Sequence, residues 1–475
     1  MHTDLIMWIA SKNGFFSIVQ HRDDSEQVLV RARVKRDLEE IFPEDRIHHT
    51  PGGDYHWRVF ASKKEMGEIL LRQMAELDYP NFKGKIAKTP SQEDKLQAYY
   101  QVWSVMHDYG LKKFDKKNVC QGCLMGGAIG DALGAPIEFL SFPQIQNKYG
   151  VNGIDSFVEF EDGFGEFTDD TQMTLFTGEG LLRAWNRSMQ RGIGGAENTI
   201  VYHSYLRWLF TQDFPFQAKP TQGVYDIEKG WLIKRKELYK RRAPGNTCIS
   251  SLASGIAGTI DEPINDSKGC GTVMRMAPVG LIFSDDMALA FDMGCKFSAL
   301  THGHPSGYLS GGFFAAIISG LCQHIPLEKC IYKVIDLLMG KPGFEELDRV
   351  LFRAIGLHDR LKEKELKAEH IELLGGGWVA EEALAISLLC SLHYLENFKK
   401  GVLAAVNHSG DSDSTGSITG NILGLIHGLE GIPEEWKSGL KFSDIVLQMG
   451  EDLAIGVKGN TYEPDEEWGE KYPGY

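Results

Sequence analysis

Apolar and polar positions change their rhythm partway along this 475-residue chain. Up to about residue 80, apolar residues come in short runs rich in aromatic and β-branched side chains. These are "LIMWIAS" (5–11), "GFFSIVQ" (14–20), "VLVRARV" (28–34) and "YHWRVFA" (55–61). Such runs predict strands, and the apolar/basic alternation that closes 28–34 predicts one half-exposed face. In contrast, "KKEMGEILLRQMAEL" (63–77) carries apolar residues at helical spacing. "SQEDKLQAYYQVWSVMHDYG" (91–110) predicts another helix, capped by Ser91 and acidic in its first turn. Residues 1–110 are therefore expected to be a small α+β module, with "KKFDKKN" (112–118) as the linker.

From residue 120 the strand signals nearly vanish. Long Ala/Gly/Leu-rich segments take over: "GCLMGGAIGDALGAPIEFL", "GYLSGGFFAAIISGLC", "AEEALAISLLCSLHYL" and "SITGNILGLIHGL". Small residues inside helical runs let helices pack closely, although each interior glycine costs roughly 1 kcal/mol relative to alanine. The pattern predicts one all-α domain over 118–475, with loops rich in Gly, Asp, Ser, Thr and Asn.

Four of those loops are unusually polar. "GDALGAPIEF" places Asp131 and Glu138 close in sequence, "GEFTDDTQ" pairs Asp169 with Asp170, and "NDSKGCGTVMRMAP" (265–278) has flexible glycines at Gly269 and Gly271. "NHSGDSDSTGSITGN" (407–421) alternates Asp411 and Asp413 among hydroxyls. Asp and Thr at a helix start read first as caps. Two hard-oxygen sets, with no cysteine or histidine inside either, also select a magnesium, manganese or calcium ion over zinc or copper. Residues i and i+2 point apart on a helix, so Asp411 and Asp413 are expected in the turn before one, where they can converge. Carboxylates packed that way repel unless cations lie between them. A DDxxD motif is absent because Asp170 is followed by Thr171, Gln172 and Met173, and no phosphate-binding P-loop motif occurs.

Composition adds exclusions. With 43% hydrophobic and 24% charged residues the chain reads as an ordinary globular protein. A net charge of −15 and the lack of a dense Lys/Arg run argue against nucleic acid as a partner. The basic stretch "KRKELYKRR" (234–242) reads as a solvated helix face. The N-terminus does not read as a signal peptide and no apolar run is long enough to span a bilayer, so a cytoplasmic location with reduced thiols is expected. Cys120 and Cys123 form an isolated C-x-x-C in an apolar, Gly-rich helix, a poor context for zinc or redox chemistry.

Taken together, residues from about 120 to 440 resemble the ADP-ribosylglycohydrolase family, which includes dinitrogenase-reductase-activating glycohydrolase and the eukaryotic ADP-ribosyl-acceptor hydrolases. "GCLMGGAIGDALGAPIEF", "GEFTDDTQMTL", "APGNT", "GCGTVMRMAPVG", "LTHGHPSG", "GGGWVAEEALAI" and "GDSDSTGSITGNILG" keep the family's order. The resemblance implies an all-α fold with two Mg²⁺ ions, or Mn²⁺, in a cleft. It assigns Thr168, Asp169, Asp170, Asp411, Asp413 and Ser414 as metal ligands, with Ser414 where many members have threonine. Glu138 matches the acidic residue taken as a catalytic acid/base or metal-gated switch, and Asp413 counts as catalytic as well as ligating. Gly269, Gly271 and Thr272 resemble the loop that contacts the diphosphate and distal ribose, His302 an ADP-ribose-contacting position, and Gly375, Gly376, Gly377 and Trp378 a ribose-pocket loop. The plainer readings are His302 and His304 as loop residues, Trp378 as core, Arg275 in a buried ion pair and Asp131 as a structural or supporting residue.

The expectation is a metal-dependent hydrolase that removes ADP-ribose from a modified protein, arginine-linked first, by cleavage at ribose C1″. The alternative is a non-catalytic ADP-ribose reader, or an immunity protein that blocks an ADP-ribosyltransferase toxin. A near-complete ligand set favours turnover, and a pure scaffold leaves the loops unexplained.

Overall fold

The short N-terminal runs become strands β1 (Ile6–Ser11), β2 (Gly14–Gln20), β3 (Gln27–Ala32), β4 (His48–His49) and β5 (Trp57–Ser62). They form one antiparallel sheet in the order β1-β2-β3-β5-β4. Alternation along β3 buries Val28, Val30 and Ala32 and turns Arg31 toward the Ser17 hydroxyl, 2.7 Å away. Phe16, Leu38, Val59 and Met66 complete that small core. Helix α1 (Lys63–Ala75) follows β5 directly, capped by the Ser62 hydroxyl accepting from the Glu65 amide. Ser91 caps nothing. A 3-10 turn at Glu93–Lys95 opens the next helix, which continues to residue 102.

The computed structural model describes residues 6–102, 115–160, 163–192, 194–214, 227–362, 364–456 and 466–474. Residues 103–110 of the 91–110 helix and 112–114 of the linker therefore lie outside the described residues, while residues 116–118 of that linker open a helix. The chain divides into two compact units, Met1–Phe114 and Asp115–Tyr475. Among its described residues the second is helical apart from a short hairpin, Glu159–Phe160 with Gly163–Phe164.

In the second unit, helix α2 (Lys116–Gly134) carries glycines at every fourth position, Gly122, Gly126, Gly130 and Gly134, which align on one face. They meet Gly424, Gly420, Gly416 and Ser412 on the antiparallel helix α6 (Ser412–His427). A methyl group on Gly126 would lie 2.2 Å from the Gly420 carbonyl oxygen, and one on Gly130 would lie 2.0 Å from that of Gly416. The two helices therefore touch backbone to backbone. This contact brings the C-terminal end of α2 against the N-terminal end of α6. Helix α3 (Asp169–Arg191) packs beside them, and the apolar helices α4 (Pro305–Cys322) and α5 (Ala380–His393) fill the interior.

One expectation changes here. The basic stretch 234–242 is no helix face. It forms 3-10 turns at Leu232–Lys234 and Lys236–Tyr239, and then Arg242 is fully buried against Glu166. Cys120 and Cys123 are both buried core residues. No single helix among the described residues is long and apolar enough to cross a membrane.

Candidate active site

Three helix ends converge on one cavity of about 640 Å³. Just beyond α2, the 3-10 turn Ala135–Ile137 delivers Glu138 to its edge. The start of α3 supplies Asp169 and Asp170, and the start of α6 supplies Asp411, Asp413 and Ser414. Carboxylate oxygens of Glu138, Asp411 and Asp413 all lie within 4.8 Å of one another.

Capping and clustering coincide in these residues. Thr168 is the cap of α3, its hydroxyl accepting from the Asp170 amide at 3.3 Å, and it also reaches Asp413 Oδ2 at 3.4 Å. Asp411 caps α6, accepting from the Ser414 amide. Asp413 sits one residue inside the helix and not before it. The two aspartates still converge because the cap side chain folds back over the first turn. Asp131 is the hidden anchor. It is fully buried in α2 and accepts from the amides of Thr168 (2.9 Å) and Thr171 (3.0 Å) and from the Thr171 hydroxyl (2.6 Å). These bonds tie the start of α3 to α2.

The electrostatics are those of an uncompensated acidic floor. Burial first, then the charges of Asp413 and Asp411, pushes the Glu138 acid up to about 10. Burial, reinforced by Asp413, raises Asp131 to about 7 against the opposing Thr171 and Thr168 hydrogen bonds. Burial likewise lifts Asp169, Asp170 and Asp411 well above the usual carboxylate range. Asp169 Oδ2 is satisfied by the Gly245 amide at 3.1 Å. Asp170 Oδ2 is buried, and among the described residues nothing donates to it. An orphaned carboxylate oxygen amid mutually repelling carboxylates is what a bound cation would resolve, and these hard donors fit Mg²⁺ or Mn²⁺. Asp170, Asp411, Asp413 and Glu138 are the residues best placed to hold it.

The other predicted site residues divide. Trp378 is 44% exposed and stacks on Phe139 at 5.5 Å, forming a cavity wall and not core. Gly271 lines the cavity. Gly269 is held behind it, its amide directed at the Ser267 hydroxyl, while the neighbouring Cys270 amide donates to the Trp378 carbonyl. Neither amide is therefore spare for a diphosphate. Thr272 is buried, its hydroxyl donating to the Gly307 carbonyl. His302 is buried beneath the Gly269–Gly271 turn, paired with the Thr301 hydroxyl at 2.8 Å. Burial and Arg275 push it down to about 3, so it is a neutral prop for that turn. His304 caps α4 through the Ser306 amide. Gly376 and Gly377 donate their amides to Glu382, and the Gly376 carbonyl accepts from the Asp411 amide at 2.8 Å. They buttress Asp411. Arg275 has no carboxylate among its described partners. It donates to the Thr301 hydroxyl and stacks on Tyr205 at 4.4 Å, which corrects the expected ion pair.

Several cavity residues had no assigned role in the sequence reading: Phe139, Cys270, Met274, Arg241 and the segment Ala243 to Asn246. The signal for the last was present in the "APGNT" piece. What hid it was reading the basic run before it as a helix.

The family profile described as ADP-ribosylglycohydrolase matches residues 114–463, which includes every residue of this cavity. The chain is 26% identical over 341 residues to the ADP-ribosylarginine hydrolase Tri1 of Serratia proteamaculans, covering 70% of this chain and 78% of that one. It is 23% identical to the ADP-ribosyl-[dinitrogen reductase] glycohydrolase of Rhodospirillum rubrum, covering 67% and 89%. A solved structure described as an ADP-ribosylglycohydrolase-related protein complex superposes with a TM-score of 0.51 at 22% identity, over 72% of this chain and 99% of that one, and shows the same fold. With an acidic cavity built at the helix ends of that fold and a family match across most of the sequence, the chain belongs to the ADP-ribosylglycohydrolase family.

Proposed function

We propose that this protein hydrolyses the glycosidic bond at ribose C1″ of ADP-ribosylated protein, with arginine as the acceptor. The carrying observation is the convergence of Glu138, Asp411 and Asp413 within 4.8 Å beside the orphaned Asp170 oxygen. A positively charged guanidinium acceptor suits a cavity floored by five carboxylates and walled by the Phe139–Trp378 stack. The arginine linkage is also the one named for the Serratia relative.

Cleavage passes through an oxocarbenium-like state, so the site must stabilise positive charge at C1″ and protonate the leaving nitrogen. The carboxylate floor supplies the first. Glu138, at the cavity edge with its acid pushed up by burial and by the charges of Asp413 and Asp411, is the group placed to pass a proton to the leaving nitrogen. Asp131 acts indirectly, fixing the start of α3 so that Asp169 and Asp170 face the cavity. Bound Mg²⁺ or Mn²⁺ would supply charge compensation, a grip on the ribose diol and a more acidic water. Asp413 would hold that ion and orient the water.

The test is release of free ADP-ribose from arginine-, serine- and nucleic-acid-linked substrates, with Mg²⁺ and with chelator. Metal-dependent release from the arginine linkage, lost in Asp413→Ala with the fold intact by circular dichroism, is the expected result. Unchanged release in that variant refutes the metal reading. Release from another linkage alone refutes the acceptor.

A further inference from the structure

The N-terminal sheet buries one face, that of Val30 and Val59, against Leu38 and Met66. On its other face, cross-strand register lines up one row over all five strands: Trp8 opposite Ser17, Ser17 opposite Arg31, Arg31 opposite Arg58, and Arg58 opposite His48. Two guanidinium side chains thus start from directly facing positions on neighbouring strands, their Cα atoms about 5 Å apart. Like charges placed so destabilise a sheet. Nearby cations have carboxylates: Arg33 pairs with Asp54, Arg46 with Glu65 and Lys35 with Glu39. Among the described residues Arg31 and Arg58 meet none. Arg31 donates to the Ser17 hydroxyl and lies over the buried Tyr55 ring at 4.8 Å, and its Nε is buried without an acceptor. Arg58 donates to the Tyr55 carbonyl at 3.4 Å. Two aromatic rings stand exposed on the same face, Trp8 at 67% and Phe60 at 44%.

We propose that this face binds a single nucleotide, with its phosphate between Arg31 and Arg58 and its base against the exposed ring of Trp8 or Phe60. A phosphate placed there removes the like-charge repulsion, and guanidinium forks match its oxygens in pairs. Phe60 lies two residues along β5 from Arg58, about 7 Å, and Trp8 lies two strands from Arg31, about 10 Å, so either ring is within reach of one nucleotide. Aromatic rings give a base a stacking platform whatever its identity. A carboxylate ligand would satisfy the charges and leave both rings unused. A long nucleic-acid strand would need a continuous cationic track, and a row with two unpaired guanidiniums on a chain of net charge −15 does not supply one. The site is separate from the acidic cavity and does not depend on how that cavity is read.

The experiment is calorimetric titration of AMP into the full chain, in phosphate-free buffer with chelator. The wild type is expected to bind, and Arg31→Gln and Arg58→Gln should each weaken binding by roughly 10–100-fold, the range that a hydrogen bond to a charged group commands. Arg58→Gln should also melt at or above the wild type without ligand, because the facing charge is gone. No binding by the wild type, or equal binding by both variants, overturns the proposal. Inorganic phosphate that binds as tightly as AMP overturns the role of the rings, and oligoadenylate that binds more tightly with each added unit overturns the single-nucleotide reading. Photolabelling of the wild type with 8-azido-AMP, mapped by peptide mass spectrometry, locates the site even if a variant fails to fold. Label displaced by AMP is expected on the peptide bearing Trp8 or Phe60. Label confined to the cavity segment Ala243 to Asn246 overturns the proposal. Release of ADP-ribose is read apart from these measurements, so the sheet site and the hydrolase reading fail separately.

Discussion

Replacing Gly130 by alanine tests the central structural argument, that the glycine seam between α2 and α6 sets the geometry of the site. The new methyl group would stand 2.0 Å from the Gly416 carbonyl oxygen and 2.3 Å from its carbon. Both are backbone atoms in the middle of a helix, so no side chain can rotate away. Opening 2.0 Å to an ordinary contact of 3.4 Å requires the helices to part by about 1.4 Å. Alanine recovers about 1 kcal/mol of helix propensity. Overpacking costs about 1–3 kcal/mol or more, and loss of contact along the rest of the seam adds to it. The expected net is a destabilisation of about 1–2 kcal/mol. The functional effect should be larger. Glu138 follows α2 and Asp411 to Ser414 open α6, so a shift of about 1 Å between those ends should lower kcat on the order of 100-fold. Gly356 in the helix Glu345–Leu361 is the control, since nothing lies within 4 Å of its added methyl group. Gly356→Ala should stabilise by about 0.5–1 kcal/mol and leave catalysis alone. Differential scanning calorimetry and steady-state release of ADP-ribose measure both effects. Wild-type melting and turnover in Gly130→Ala would refute the seam argument.

The acidic floor predicts a crossover in stability. Asp170→Asn removes one of several buried, mutually repelling charges, so in chelator it should melt above the wild type; in Mg²⁺ the order should reverse, because only the wild type gains the full binding free energy. Asp131→Asn keeps one acceptor where Thr168 and Thr171 now use two, so it should cost about 1–3 kcal/mol by chemical denaturation and weaken Mg²⁺ binding by calorimetry. Glu166 opposes its own burial with hydrogen bonds from Lys441, Lys240 and Arg242, which bring its acid down from 4.5 to about 2. A carboxylate held low stabilises the fold above its unfolded value and loses that contribution as pH falls from about 4.5 to about 2. Urea denaturation should therefore show the wild type's advantage over Glu166→Gln shrinking across that window, and a constant advantage would disprove the linkage. Trp378→Ala removes the partner of Phe139 at the cavity wall and should raise KM more than it lowers kcat in initial-rate assays.

Much of the fold was legible because its signals are local. Strands β1, β2, β3 and β5 follow from alternating β-branched and aromatic runs, and α1, α4 and α5 from apolar spacing. The errors are local too. Ser91 looked like a cap, but the chain turns through a 3-10 segment first, and 234–242 looked like a charged helix face although Arg242 is drawn inside by Glu166. A buried ion pair between residues 76 positions apart leaves no periodic trace in the sequence.

Sequence by itself determined which residues are chemically unusual. Paired aspartates at helix starts, a glycine at every fourth position of α2 and the ordered motifs from 120 to 440 are all present before folding. What the tertiary structure decided is which of them meet. Backbone contact along the Gly130–Gly416 seam draws Glu138 to Asp411 and Asp413, and Asp131 pulls the start of α3 to the same place. It also moved His302, Gly269 and Thr272 behind the cavity wall and set Arg241, Phe139 and Cys270 on it. Caps and periodicity depend on neighbours within a turn or two, so they can be read from the chain. The charge cluster depends on helices more than 200 residues apart in sequence, and only their packing could place it.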